Sequence, residues 1–320
     1  DARRIMLANL AIRVAMAAIA LAVLGPVMAA IGAIASDPAR ALALLHTAFN
    51  VAQAILALPF LGAIAALVTR IVPTDDGTGG SLRPEHLDPA LLPRPGIALA
   101  NASREVLRLA DDVEVMLRES LSVFRDGSDK RREQLRALDD EVDRQEELIK
   151  LYLTRLSRGT LQEEEARRCF DLIMFTTNLE HVGDIVDKGL LALAAKKARG
   201  GHAFSAEGWA EIEALHARTV SHMRLAMTVF QTRDIAMARQ LVADKDGFRA
   251  AEAVAARAHV ERMRDGTAAS IDTTTLHLDI LRDLKRIVSH LTSVAVPILE
   301  AAGELRTSRL VVGDEAPRQN

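Results

Sequence analysis

Two long stretches near the start of the chain carry no charge at all. Val14 to Ile34 is 21 residues and Ala41 to Val68 is 28. Each exceeds the ~20 residues that cross ~30 Å of hydrocarbon as a helix. Between them lies Ser36-Asp37-Pro38-Ala39-Arg40, a short polar turn. The pattern predicts two antiparallel membrane-spanning helices over residues 1–72. The alternative is a buried helical pair in a soluble protein, which all-round apolarity disfavours. The length of the first run and the prompt second one also argue against a cleaved signal peptide. Residues 73–98 then break every periodicity: Asp75-Asp76-Gly77-Thr78-Gly79-Gly80-Ser81 precedes Pro84, Pro89, Pro93 and Pro95. This predicts a linker.

Beyond it the chain reads as helix throughout. Proline is absent from Gly96 to Val296, and alanine, leucine, arginine and glutamate dominate. Apolar spacing of three and four predicts helices over Ala100–Phe124, Lys130–Ser157 and Glu163–Arg199. Gly200-Gly201 marks a boundary. Three more follow: one from Ser205, one over Ala236–Arg264, and one over Ser270–Leu305 with a kink at Pro297. Helices of this length joined by short turns pack as antiparallel bundles. The expected fold is therefore all-α: a transmembrane helical hairpin followed by two three-helix bundles over residues 99–306, with a tail over 307–320.

Charge sharpens the division. Residues 1–72 hold Arg3, Arg4, Arg13, Arg40 and Arg70 against Asp1 and Asp37, a net of +3; the total of −3 leaves −6 for the remainder. Arginines flank the outer ends of the hairpin, which predicts both ends on the cytoplasmic side. No basic, aromatic-rich face stands out and aromatics are 3%, so a nucleic-acid partner is not expected. A single cysteine, Cys169, excludes an internal disulfide framework and a cysteine-based zinc site.

Polar residues inside an apolar span need partners. His46, Asn50 and Gln53 share one helical face. They suit either an interhelical hydrogen-bonded seam or the lining of a polar path. The two spans also resemble one another, with residues 2–13 alignable on 39–50, as in transporters built from repeats. Two helices enclose no pathway, so further spans are expected, and a hairpin with a polar seam in lipid invites a homodimer.

The third predicted helix carries Asn178-Leu179-Glu180-His181-Val182-Gly183-Asp184, which resembles the Leu-Glu-Arg-Ile-Gly-Asp element of PhoU-type domains. The sixth carries Leu276-His277-Leu278-Asp279-Ile280-Leu281-Arg282-Asp283-Leu284-Lys285-Arg286-Ile287-Val288-Ser289-His290-Leu291-Thr292-Ser293-Val294-Ala295. It is similar to the matching element of the second PhoU repeat at the end of bacterial sodium/phosphate symporters. Leu45-His46-Thr47-Ala48-Phe49-Asn50 is similar to a motif in the last spans of that family. No Gln-Ser-Ser element of the transport core is present, and the chain starts at Asp1, so it resembles the C-terminal part of such a symporter.

The resemblance implies sodium-dependent phosphate transport at the bacterial plasma membrane. Sodium would be the coupling ion, phosphate would move through upstream spans, and the PhoU-like domain would be a cytoplasmic regulator. The other functional reading is a membrane-anchored PhoU-like regulator without transport of its own. The resemblance also implies a divalent or iron-type metal ion in the first repeat, on acid-x-x-x-acid pairs. Glu180 with Asp184 fits, Asp187 extends that face, and Asp139 with Asp143 has the same spacing. If those faces meet, oxygen ligands suit magnesium, calcium, manganese or iron better than zinc; otherwise the acids are solvated surface pairs. In the second repeat Lys285 and Ser289 stand where Glu180 and Asp184 stand in the first, and Lys285 is expected to replace a cation there. His181, His277 and His290 are expected as surface or satisfied helix residues, and Cys169 as packing. No serine, histidine and acid grouping and no phosphate-cradling glycine loop is evident, so an enzyme is not expected.

Overall fold

The computed structural model describes residues 13, 17, 20–34, 37–58 and 84–304. Most of the first span before residue 20 lies outside these residues. So do residues 59–68 of the second span, the flanking Arg3, Arg4 and Arg70, the glycine-rich part of the linker, and the tail over 307–320. No strand occurs among the described residues. The chain divides into two compact units, residues 1–83 and 84–320.

In the first unit, α1 (Leu24–Ile34) packs against α2 (Pro38–Ala57). The turn ends sharply because the Asp37 side chain accepts from the Arg40 backbone N–H at 3.2 Å, with Pro38 at the first helical position. Ala39 to Leu56 is an 18-residue window long and apolar enough to cross a membrane by length and composition. The seam residues behave locally. Asn50 Nδ2 donates to the His46 carbonyl one turn back at 2.8 Å, while His46 is exposed and Gln53 half-buried.

The second unit begins with a short 3-10 turn, Pro89–Leu91. Two bonds pin this entry segment to the helices beyond it. The Tyr152 hydroxyl donates to the Asp88 carbonyl at 3.1 Å. The buried Glu105 carboxylate accepts from the His86 N–H at 3.2 Å. Three helices then pack pairwise on one another: α3 (Pro95–Asp126), α4 (Asp129–Ser157) and α5 (Glu163–Asp184). A second trio does the same: α7 (Ala206–Thr232), α8 (Ile235–Arg264) and α10 (Thr274–Thr292). Between the trios lies α6 (Ala192–Gly200), and α9 (Ala268–Asp272) precedes α10. The chain finishes with a 3-10 turn, Ser293–Ala295, and α11 (Val296–Ala301).

The boundaries follow from capping chemistry. Ser128 accepts from the Arg131 N–H and Asp234 from that of Met237, and Gln162 with Glu165 forms a capping box. Ser205 accepts from the Gly208 N–H at 3.1 Å, which opens α7. At the Gly200-Gly201 boundary, Gly201 takes φ +62 and closes α6, a conformation that favours glycine.

The two trios share one core. α3 packs on α7, and α5 packs on α10. Leu109, Met116, Leu172 and Leu179 of the first trio join Ile212, Met223, Ile280 and Ile287 of the second in one cluster of buried residues. Phe175 and Phe230 stack across the junction at 4.7 Å between centroids. Each such fully buried side chain stabilises the fold by roughly 1.5–3 kcal/mol.

Two expected helices are interrupted. The run over Glu163–Arg199 contains a π-helical segment, Ile185–Leu191. The last helix breaks at Ser293–Ala295 rather than bending, because Pro297 is placed in the first turn of α11, where its missing N–H costs nothing.

Candidate metal centre

α4 carries Asp139 and Asp143 on one face, one turn apart, and α5 carries Asp184 at its end. The helices approach closely because residue 183 is glycine. A Cβ there would lie 3.0 Å from Asp139 Oδ1 and 3.5 Å from Val142 Cγ1. The result brings one carboxylate oxygen from each of Asp139, Asp143 and Asp184 within 4.8 Å of one another.

The electrostatics show a site short of positive charge. Asp139 is 5% exposed, and its Oδ1 has no hydrogen-bond partner. Burial, and then the neighbouring Asp143, Asp187 and Asp184, push its carboxyl up to about 7. Burial raises Asp143 as well, and burial followed by Asp184 raises Glu180. One cation faces the cluster: the Lys188 ammonium bonds Asp184, which holds the lysine above its ordinary range. A hard cation with oxygen ligands fits these three carboxylates: the orphaned Asp139 oxygen would gain a partner and the mutual repulsion would be neutralised.

The other two acids expected at this site are engaged elsewhere. Glu180 Oε2 lies 2.9 Å from His181 Nδ1. Asp187, inside the π segment, accepts from Arg136 Nε at 3.3 Å.

The second repeat has exchanged its acids for internal partners. The register that sets Lys285 against Glu180 also sets Asp244 against Asp139 and Phe248 against Asp143. Lys285 donates to Glu252 at 2.8 Å, and Ser289 turns back to the Lys285 carbonyl. Asp244 accepts from His222 Nδ1 at 2.7 Å, and His222 Nε2 meets Thr292 Oγ1 at 2.9 Å. No sequence motif marks this Thr-His-Asp chain, because its members come from three helices. Thr292 and His222 are buried, and neither lines the larger or the smaller cavity of this unit.

His277 corrects the expectation of a surface or satisfied residue. It is fully buried, stacks on His259 at 4.3 Å between centroids, and leaves both ring nitrogens without a hydrogen bond. Glu211 Oε2 stands 3.4 Å from its Nε2, and Arg262 holds that carboxylate through two bonds of 2.7 Å. Burial, the neighbouring His259 and Arg262 push His277 down to about 3. His290 Nδ1 meets Asn178 Oδ1 at 2.9 Å, and Cys169 is packed in the core.

Two cavities among the described residues bear on this site. The larger, 830 Å³, is mostly apolar, with Phe170, Met174 and Phe230 in its wall, and lies away from the three carboxylates. The smaller, 400 Å³, adjoins them through Asp184 and Lys188.

A duplicated three-helix repeat around a common core, with a carboxylate cluster in one copy only, defines an all-helical tandem-repeat domain. The sequence profile described as "PhoU domain" matches residues 106–188 and 212–297, and the chain belongs to that family. Of the three elements that carried the resemblance, residues 178–184 and 276–295 fall within these segments and Leu45–Asn50 falls outside them. Two solved structures share the fold, each with a TM-score of 0.59. PhoU from Pseudomonas aeruginosa is 20% identical, over 65% of this chain and 98% of that one. The phosphate transport system regulatory protein PhoU from Streptococcus pneumoniae is 16% identical, over 67% and 100%. Among curated proteins, the chain is 40% identical over 223 residues to the "Putative inorganic phosphate export protein YjbB" of Escherichia coli K12. It is 39% identical over 231 residues to the protein of the same name from Salmonella typhimurium. These alignments cover 70% and 72% of this chain but 41% and 42% of the relatives. Both curated relatives are thus named for inorganic phosphate export, and the two solved structures show the fold.

Proposed function

We propose that this chain is the C-terminal part of a bacterial plasma-membrane protein that moves inorganic phosphate with sodium as the coupling ion. In this reading α1 and α2 belong to its last membrane hairpin, and residues 84–304 form a cytoplasmic regulatory module. The observation that carries it is the 40% identity to a relative named for phosphate export. Sodium coupling is supported by the symporter-like elements Leu45–Asn50 and Leu276–Ala295. The transport path would lie in membrane helices of the whole protein other than α1 and α2.

Asp139, Asp143 and Asp184 would hold a divalent or iron-type cation in this module. When bound, that ion supplies the positive charge which ties α4 to α5. The residues themselves do the positioning: Gly183 sets the helix spacing, and Lys188 covers Asp184.

The test is phosphate flux in proteoliposomes carrying the full-length product, with and without a sodium gradient of either direction. Flux that requires sodium is expected. Flux indifferent to sodium removes the coupling ion, and no flux in either direction overturns transport. A second reading, a membrane-anchored regulator, draws on the closed core of the second unit. It predicts an unchanged phosphate content of the liposomes and co-purification with a separate transporter.

A further inference from the structure

The smaller cavity, 400 Å³, opens where α10 of the second repeat meets the π segment of the first. Its wall is polar and apolar in about equal parts, and three cations reach it: Lys188 from the π segment, and Arg282 and Arg286 one turn apart on α10. The Asp283 carboxylate packs against the main chain here because residue 189 is glycine. A Cβ there would stand 2.8 Å from Asp283 Oδ2. A π-helical turn at a cavity wall is a recurrent feature of functional sites.

Asp283, 2% exposed, lies at the base of the two arginines and accepts from Arg282 Nε and Arg286 Nη1, each at 3.3 Å. It anchors them without filling them. Among the described residues Arg286 makes no other hydrogen bond, so most of its five N–H donors remain open. Arg282 has one further partner, Asp279, at 2.7 Å. The remaining acid, Asp184, is covered by the Lys188 ammonium. His181 and His290 also line the cavity. Each already uses its Nδ1, on Glu180 and Asn178, which leaves Nε2 available. The chemistry disfavours a cation and an apolar ligand alike. It suits a small, multiply charged oxyanion, which planar guanidinium forks bind with two parallel bonds.

We propose that this cavity binds a tetrahedral oxyanion of the phosphate class, held by Lys188, Arg282 and Arg286. The proposal deepens the phosphate reading above and rests on it for the choice of phosphate over other oxyanions. It gives the regulatory module its own point of contact with the transported species. Lys188 faces both this cavity and the carboxylate cluster, and its ammonium stays paired with Asp184.

The experiment is titration calorimetry of the whole chain in detergent micelles at constant ionic strength. Inorganic phosphate, sulfate and a nucleoside diphosphate are the separate probes. Saturable one-to-one binding of phosphate is expected, weakened about tenfold or more in Arg286→Gln and in Lys188→Gln. Arg286→Lys, which keeps the charge but not the fork, should fall between. Arg167→Gln, removing a cation on α5 outside this cavity, should change affinity by less than about twofold. Circular dichroism melts establish that each variant is folded. A nucleoside diphosphate that binds more tightly, still through Arg286, assigns the site to a phosphoryl group on a larger molecule. No saturable binding by either phosphate compound overturns the proposal, as does sulfate binding as tight as phosphate or equal weakening in Arg167→Gln. Liposome flux is measured separately, so absent binding with intact flux refutes this site alone, and binding without flux refutes transport alone.

Discussion

Gly183 stands so close to Asp139 that a single added methyl group would lie 3.0 Å from the buried Oδ1. The contact joins α5 to α4 at the centre of the acidic cluster. Gly183→Ala must therefore push Asp139 or shift a helix. Overpacking of this kind destabilises by about 1–3 kcal/mol. The helix-propensity gain of alanine, up to ~1 kcal/mol, works against it and makes the lower half of that range the expected outcome. A urea midpoint equal to or above that of the wild type would show that the spacing is not fixed by this glycine.

Asp139 makes stability depend on pH. Its carboxyl is raised from 3.8 to about 7 by burial and three neighbouring acids. The folded state therefore binds its proton more tightly than the unfolded state. The contribution is fully present below about pH 3.8 and is lost as pH rises through about 7. With a chelator present, Asp139→Asn should remove that part of the slope. It should be more stable than wild type at pH 8 by at least about 1.4 kcal/mol, the free energy of each tenfold of that raised proton affinity. Parallel stability curves for the two proteins between pH 5 and pH 8 would contradict this.

Cation binding acts on the same groups. Manganese or magnesium added to the chelator-treated protein should raise the melting temperature, by about 2.7 kcal/mol of stability at a hundred times the dissociation constant. Asp143→Asn and Asp184→Asn should each abolish most of the gain, while Lys285→Gln, in the second repeat, should leave it intact. A gain that survives both aspartate changes places the cation elsewhere.

The stacked pair of His259 and His277 carries the opposite pH dependence. His277 is lowered from 6.5 to about 3, and His259 is lowered in the same direction by burial. The folded state binds these protons more weakly than the unfolded state, so their contribution is complete above about pH 6.5 and is lost as pH falls. His277→Leu should show a flatter stability curve between pH 6.5 and pH 4 in guanidinium titrations, and His259→Leu with His277→Leu flatter still. Unchanged acid sensitivity in the double variant would locate it in other groups.

Much of this organisation is legible in the chain. Apolar spacing, the absence of proline over Gly96–Val296 and the Gly200-Gly201 boundary foretell two helical trios. These are local signals, repeated every three or four residues. The pairing of Asp139 and Asp143 with Asp184 is legible only in halves. Helical spacing places each half on a face, but which faces meet depends on how α4 crosses α5. The other expected acids show the limit, since Glu180 and Asp187 share that spacing and turn to His181 and Arg136 instead.

What the sequence by itself determined, then, is the all-helical class, the tandem repeat and the long apolar start, because periodicity and capping are properties of neighbouring residues. What only the tertiary structure decided is which side chains share a site. The cavity that Lys188 and Gly189 of the π turn form with Arg282 and Arg286, and the buried His259–His277 stack, join residues from different helices. Such contacts are set by interhelical packing and burial, and no spacing along a single helix encodes them.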